Sequence, residues 1–361
     1  MKILILGEAR HAVYELALSG QLTELGHECV VFGWSRYFAD AETLPSEMPP
    51  YRSLLHRLED RLAVGPHSHK FNTDAVNAAA DMQPDALMLF NAKQVTSRTV
   101  RAIQSQCPGV KVVQYNNDNP FSAGASWSRW RHVRRSVSHV DLALAHRVSN
   151  LRDLADHGAR RTGMWRSACT KEDLSAGDKE VTKDIDVLFA GHYEPDGRAA
   201  ILEGLLHAGI RLQVNGGGWQ DWATTRQAQG TLLSNQPLAP LFGSDYRDTL
   251  ARAKVAICFL SSLNEDTYTR RSFEIPAVRT AQLSQYSDDL ASLFVEDREI
   301  VFFRSPDELL RKINDLLLDP AWRRVIEEGG RRRVETDGHD LRNRAIQLTE
   351  AIESMRGQLS S

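Results

Sequence analysis

Apolar residues along this chain fall into short uninterrupted blocks, separated by longer stretches in which they recur at helical spacing, and the alternation runs through twice. Lys2 to Leu6 is a short apolar block ending at Gly7. Residues 12–25 carry apolar positions on one helical face, Gly26-His27 makes a turn, and Cys29–Phe32 is the next strand. Further strands are expected at Ala86–Phe90 after Gln83-Pro84-Asp85, at Val110–Tyr115 after Pro108-Gly109, and at Val140–Ala145. Blocks this continuous suit parallel strands buried on both faces.

A second series begins beyond the polar stretch 170–184. It comprises a strand Val187–Ala190 ending at Gly191, a helix over 197–208, a strand Arg211–Val214 ending at Asn215-Gly216-Gly217-Gly218, and a strand Val255–Leu260. A helix follows from about Phe273, then short strands near Ala281–Leu283 and Ile300–Phe303, and helices at about 306–318, 320–333 and 340–356. The pattern predicts an α/β protein of two Rossmann-like domains. Residues 1–170 form the first, 171–340 the second, and 341–361 a C-terminal helix with the option of returning to the first.

Composition supports two cores: the 361 residues exceed what one core usually serves, with 42% hydrophobic and 25% charged. The net charge of −3, from 44 Lys and Arg against 47 Asp and Glu, gives no global field for nucleic acid or an anionic membrane, so anion binding must be local. Cys29, Cys107, Cys169 and Cys258 form no CxxC pair and read as reduced core residues. The N-terminal MKILILGEAR shows no signal-peptide pattern and no run reaches the length of a membrane span, so the expected compartment is the cytoplasm.

Ligands of open parallel sheets settle at the carboxyl ends of strands. Three loops of the second half are expected to converge there: Gly191-His192-Tyr193, Asn215 to Trp219, and Ser261 to Arg271. Gly191, Gly216 and Gly217 would let backbone approach a ligand closely, although a plain turn also uses such glycines. The stretch TRRSFEIPA, residues 269–277, is more specific. Pro276 belongs in a helix's first turn, which places Arg270 and Arg271 at the mouth of that helix, where paired guanidinium groups suit a diphosphate. Glu274 cannot close a capping box, because the position three residues earlier holds Arg271 rather than Ser or Thr. Its remaining roles are a surface ion pair with Arg270 or Arg271, or acceptance of hydrogen bonds from ribose hydroxyls.

The segments CFLSSLNEDTYTRRSFEIPAVRTAQLS and EIVFFRSPDELLRKINDLLLDPAWRRVIEEGGRRRVETDGH resemble the C-terminal domain of the CgeB-like (spore-maturation protein) glycosyltransferases, within the GT-B fold group. Asn264, Thr269, Arg271, Phe273, Glu274, Ile275, Pro276, Ala277, Glu299, Asp319, Pro320 and His339 carry the resemblance, which covers about residues 185–345; VLFAGHYEPDGR and Asn215 to Trp219 extend it. Two departures bear on the donor sugar: Ala277 leads into Val278-Arg279-Thr280 where the family commonly has Cys-Gly, and Asp266 stands eight positions before Glu274, where many related transferases carry Glu. The resemblance implies two Rossmann-like domains facing across a cleft and transfer of a sugar from a nucleotide-diphosphate donor, most often a uridine diphosphate sugar. The N-terminal domain would hold the acceptor, of unknown identity (glycan, lipid-linked glycan, protein or small molecule). Implied donor contacts are Glu274, Arg270, Arg271, Thr269, Gly191, His192, Asn215, Gly216, Gly217, Trp219 and Asn264.

No cofactor or metal is called for, since arginines and the helix N-terminus can neutralise the leaving diphosphate. The His67-Ser68-His69 and Asp184-Ile-Asp186 groups lack metal-site spacing. Asp118, in NNDNP after a strand, and His11, just after the first strand, are the candidate bases, against ordinary turn and surface roles. The segment SWSRWRHVRRS, residues 126–136, suits a membrane interface, an anionic lipid-linked acceptor, single-stranded nucleic acid, or a solvated helix with Trp127 and Trp130 packed inward; no nucleic-acid partner is expected. A nucleotide-sugar epimerase or hydrolase on the same fold, and a non-catalytic nucleotide- or glycan-binding protein, are the alternatives.

Overall fold

Each apolar block becomes a strand, most of them with little exposed surface though the edge strand over Cys29–Phe32 is partly open, and every strand pairing among the described residues is parallel. The computed structural model describes residues 1–38 and 54–357, which divide into two units. The first contains β1 (Lys2–Gly7), β2 (Glu28–Gly33), β3 (Ala86–Phe90), β4 (Lys111–Asn116), β5 (Leu142–Ala145) and β6 (Thr162–Met164), in the order β2-β1-β3-β4-β5-β6. Both faces are covered. Leu4, Leu6, Leu87 and Leu89 pack with Phe71, Ala75, Val100 and Ile103 on one side, while Ile3, Ile5 and Met88 meet Leu18, Leu22, Leu348 and Ile352 on the other.

Those last contacts belong to the C-terminal helix Leu341–Gly357, which closes the second face of the first sheet. Trp165 Nε1 donates to the Arg344 carbonyl at 2.9 Å, and Arg356 pairs with Asp85 at 2.7 Å. Unit 1 is therefore built from Met1–Ser167 and this helix, and unit 2 from Ala168–Asp340. Residues 358–361 of the expected C-terminal segment lie outside the described residues. Unit 2 contains β7 (Ile185–Ala190), β8 (Leu212–Asn215), β9 (Ala253–Cys258), β10 (Ala281–Gln285) and β11 (Val301–Phe303), in the order β11-β10-β9-β7-β8. The α/β class with two Rossmann-like parallel sheets is as expected. In each sheet the strand order reverses beside its first strand, between β1 and β3 and between β7 and β9, and such switch points open a crevice at the carboxyl ends.

Several local expectations differ. The helix expected over 12–25 opens as a π-turn at Ala12–Leu16 before the α-helix Ala17–Glu24, because Glu15 turns inward to accept the Glu8 amide at 2.9 Å. The stretch 170–184 is not merely a polar linker: Thr170 and Asp173 cap each other at the start of a helix, Lys171–Gly177, within unit 2. The helix expected near Phe273 runs from Arg271 to Ala277, which puts Pro276 in its second turn rather than its first; the helix ends one residue later. β6 was not foreseen, since Thr-Gly-Met offers no apolar run. Among the described residues, no helix is long and apolar enough to cross a membrane.

Candidate functional site

The loops after β7, β8 and β9 meet at the unit 2 switch point. Gly191 N donates to the Asn215 carbonyl at 2.9 Å, and Tyr193 N donates to the Gly217 carbonyl at 2.9 Å. Gly216 has φ of 155°, and a Cβ there would collide with the Gly191 carbonyl oxygen, so only glycine permits this approach. A Cβ on Gly217 would press 2.7 Å from the His192 ring. Ser261 Oγ donates to Glu194 Oε2 at 2.8 Å, joining the loop after β9 to the loop after β7, and the Asn264 amide donates to Ser261 Oγ at 3.2 Å. Arg198 holds the rest, donating to the His192 carbonyl at 2.8 Å and pairing with Glu194 at 3.3 Å.

Two of the expected donor contacts are wall rather than surface. Trp219 is fully buried and donates through Nε1 to the Gly191 carbonyl at 2.7 Å. Asn215 is buried, donating to the Ala239 carbonyl at 2.9 Å and accepting from Gln213 at 2.8 Å. Both hold the glycine loop from behind, because an aromatic ring and an amide are sealed under it; His192, by contrast, is exposed.

Beside these loops, Glu274 is buried and held at both oxygens. Arg270 Nη2 lies 2.7 Å from Oε1, and Tyr246 donates its hydroxyl to Oε2 at 2.9 Å. The Glu274–Arg270 ion pair thus exists, but it is buried and not on the surface. Asp173 extends the cluster, 3.8 Å from Arg270; burial, then the neighbouring Glu274, pushes its carboxyl up to about 6 against the pull of Arg270. Burial and Glu274 likewise push the Tyr246 phenol well above its ordinary value. Tyr246 and Asp173 were invisible in the sequence: they lie on separate polar helices, Gly243–Arg252 and Lys171–Gly177.

Arg271 differs from Arg270. Its guanidinium carbon would stand 3.4 Å from a Cβ at Gly191, Cys258 lies beside it, and, unlike Arg270, it has no carboxylate within ion-pair distance among the described residues. An enclosed guanidinium without a counter-charge is costly, so an anion that supplies one is favoured. Three amides of the helix's first turn are not free. Ser272 N bonds to the Thr269 carbonyl, and Phe273 N and Glu274 N bond to that of Arg270. Thr269 is buried, its hydroxyl 3.6 Å from Cys258 Sγ, with its amide bonded to Ser272 Oγ.

In unit 1, Asp118 follows β4 and pairs with Lys93 at 3.0 Å, while Lys93 also lies 4.4 Å from the centre of the Trp130 ring. Burial would raise the Asp118 pKa, but Lys93, Arg129 and Arg147 hold it below the ordinary carboxylate value, which weakens it as a base. His11 follows β1 and meets Tyr14 edge-to-face at 6.1 Å. Trp130 is buried as expected, whereas Trp127 is 61% exposed and not packed inward. A cavity of about 500 Å³ in this unit, lined by Val64, Ser68, Asn72, Val76, Thr99 and His132 among others, includes none of the expected site residues. His67 pairs with Glu59 at 2.8 Å, and Asp184 and Asp186 pair with Arg252 and Lys254. Among the described residues, no three His, Cys, Asp or Glu side chains gather as a metal site.

Residues 198–350, most of unit 2 and the start of the C-terminal helix, match the Glycosyl transferase-like family. No curated protein matches the chain. Among solved structures, sucrose-phosphate synthase from Thermosynechococcus elongatus is similar at 12% identity, with a TM-score of 0.69 over 99% of this chain and 100% of that one. Anabaena HepE, solved in complex with UDP and glucose, is similar at 14% identity, with a TM-score of 0.68 over 98% of this chain and 100% of that one. The UDP-GlcNAc 2-epimerase of Neisseria meningitidis, solved bound to UDP-GlcNAc, is similar at 10% identity, with a TM-score of 0.56 over 98% and 100%. At these identities the structures speak to the fold, which is that of GT-B glycosyltransferases. The family match to residues 198–350 and this fold together support a glycosyltransferase.

Proposed function

We propose that the chain transfers a glycosyl group from a nucleoside-diphosphate sugar, with a uridine diphosphate sugar as donor, to an acceptor hydroxyl. The observation that carries the donor site is Arg271: a largely enclosed guanidinium at the β7–β9 switch point, beside Gly191, with no carboxylate within ion-pair distance among the described residues. A diphosphate supplies the missing counter-charge. Bidentate contact from a guanidinium strengthens as charge builds on the leaving group, which lowers the barrier without a metal ion in this reading. Glu274, oriented by Arg270 and Tyr246, keeps a second lone pair on each oxygen for the ribose hydroxyls. The HepE complexes, which hold UDP or UDP-glucose, support this choice of donor class.

For the acceptor, His11 is the preferred base over Asp118, whose lowered pKa makes it the poorer proton acceptor. CgeB-like remains the subtype we favour, and the cytoplasm the compartment. The test is a screen of UDP-, GDP- and ADP-sugars with and without acceptors. Acceptor-dependent release of UDP supports transfer. Because an epimerase shares the fold, a sugar epimer formed without acceptor would favour that second reading instead.

A further inference from the structure

The helix Leu54–Leu62 is inside out. Leu54, Leu55, Leu58 and Leu62 are spaced to share one face, yet they are 72%, 76%, 46% and 42% exposed. Its carboxylates turn inward instead. Glu59 Oε1 accepts from the Ser68 amide at 2.9 Å and from the His67 amide at 2.5 Å, capping the start of the helix Pro66–Met82. Asp60 accepts from Gln94 Nε2 at 2.8 Å. The polar side is thus fixed by directional bonds, and among the described residues the leucine face joins no core cluster.

A second helix, Trp127–Ser136, is fastened to the same corner: Arg131 Nη2 and His132 Nε2 donate to the Ala63 carbonyl at 2.9 and 3.1 Å. Its sequence WSRWRHVRRS has arginines and no acidic residue, and it exposes Trp127, with Arg135 5.7 Å from the centre of the ring. Arg57, Arg61, Arg129 and Arg135 are all exposed, and Val64 adds apolar surface at 51% exposure. Exposed leucines, an exposed tryptophan and exposed arginines on adjoining elements combine the two signals that hold a protein on a charged bilayer. This face is basic although the chain as a whole carries −3.

We propose that this face of unit 1 docks onto an anionic lipid bilayer, the leucines and Trp127 entering the interface while the arginines meet lipid phosphates. A nine-residue helix buries too little for firm anchoring by itself, so docking is reversible and depends on charge. The test is co-sedimentation of the full chain with phosphatidylcholine vesicles, alone or mixed with phosphatidylglycerol. Binding is expected on the mixed vesicles and weaker at high salt. It should fall about tenfold or more in Leu55→Glu, and equally in the double variant Arg129→Gln, Arg135→Gln. All three positions are exposed, so thermal unfolding should stay unchanged and serves as the folding control. Absence of binding to mixed vesicles, or binding indifferent to both variants, overturns the proposal. So does self-association that Leu55→Glu abolishes without any vesicle binding, which would make the face a contact between copies of the chain.

Discussion

Arg270 and Arg271 are neighbours in sequence with opposite employment. Arg270 compensates Glu274 at 2.7 Å and lies 3.8 Å from Asp173, so Arg270→Ala leaves buried carboxylates unbalanced and should cost about 3–5 kcal/mol in urea unfolding. Tyr246→Phe removes one donor from Glu274 at 2.9 Å and should cost about 1–2 kcal/mol by the same measurement. The sequence exposed the charge pattern of TRRSFEIPA but not this division, because Tyr246 and Asp173 arrive from helices 28 and 101 residues from Glu274 and carry no local signature. Glu274, between Phe273 and Ile275, is buried. What the sequence could not announce was that the first-turn amides at Ser272, Phe273 and Glu274 are already bonded.

At the scale of elements, the glycine loop and the first turn of unit 1 show how tightly the strand ends are built. Gly216→Ala would place a methyl on the Gly191 carbonyl at a φ of 155°, and should lower stability by several kcal/mol, on the order of 2–4, in thermal unfolding. Glu15 sits under β1, where burial pushes its carboxyl from 4.5 to about 7 against hydrogen bonds from backbone amides. A raised pKa means that the folded state holds the proton more tightly. Its contribution is complete below 4.5 and is lost as pH rises through 7. Glu15→Gln should therefore gain stability relative to the parent chain across that window, approaching about 3 kcal/mol at most, as read from urea unfolding at a series of pH values. Strands were legible because parallel burial writes continuous apolar runs, as in Ala86–Phe90. Helices such as Ser97–Gln106 and Leu54–Leu62 were not, because their apolar stripe is narrow or faces solvent.

For the whole molecule, the last helix belongs to the first unit, and its loss should be felt there. Removing residues 341–361 uncovers Ile3, Ile5 and Met88 and deprives Trp165 of its acceptor, so unit 1 should lose cooperative unfolding, measured by near-ultraviolet circular dichroism. Two Rossmann-like sheets were readable from the repeated strand–helix alternation. The partnership of Leu341–Gly357 with β1 and β3 was left open, since periodicity fixes an apolar face without naming what covers it. The proposed donor site rests on Arg271 at the switch point of the second sheet while Arg270 and Tyr246 hold Glu274. The most direct test is calorimetric titration of UDP into the full chain and into Arg271→Ala. The account predicts binding by the parent chain that weakens at least tenfold, about 1.4 kcal/mol, in the variant. Equal affinity of the two proteins for UDP would contradict it.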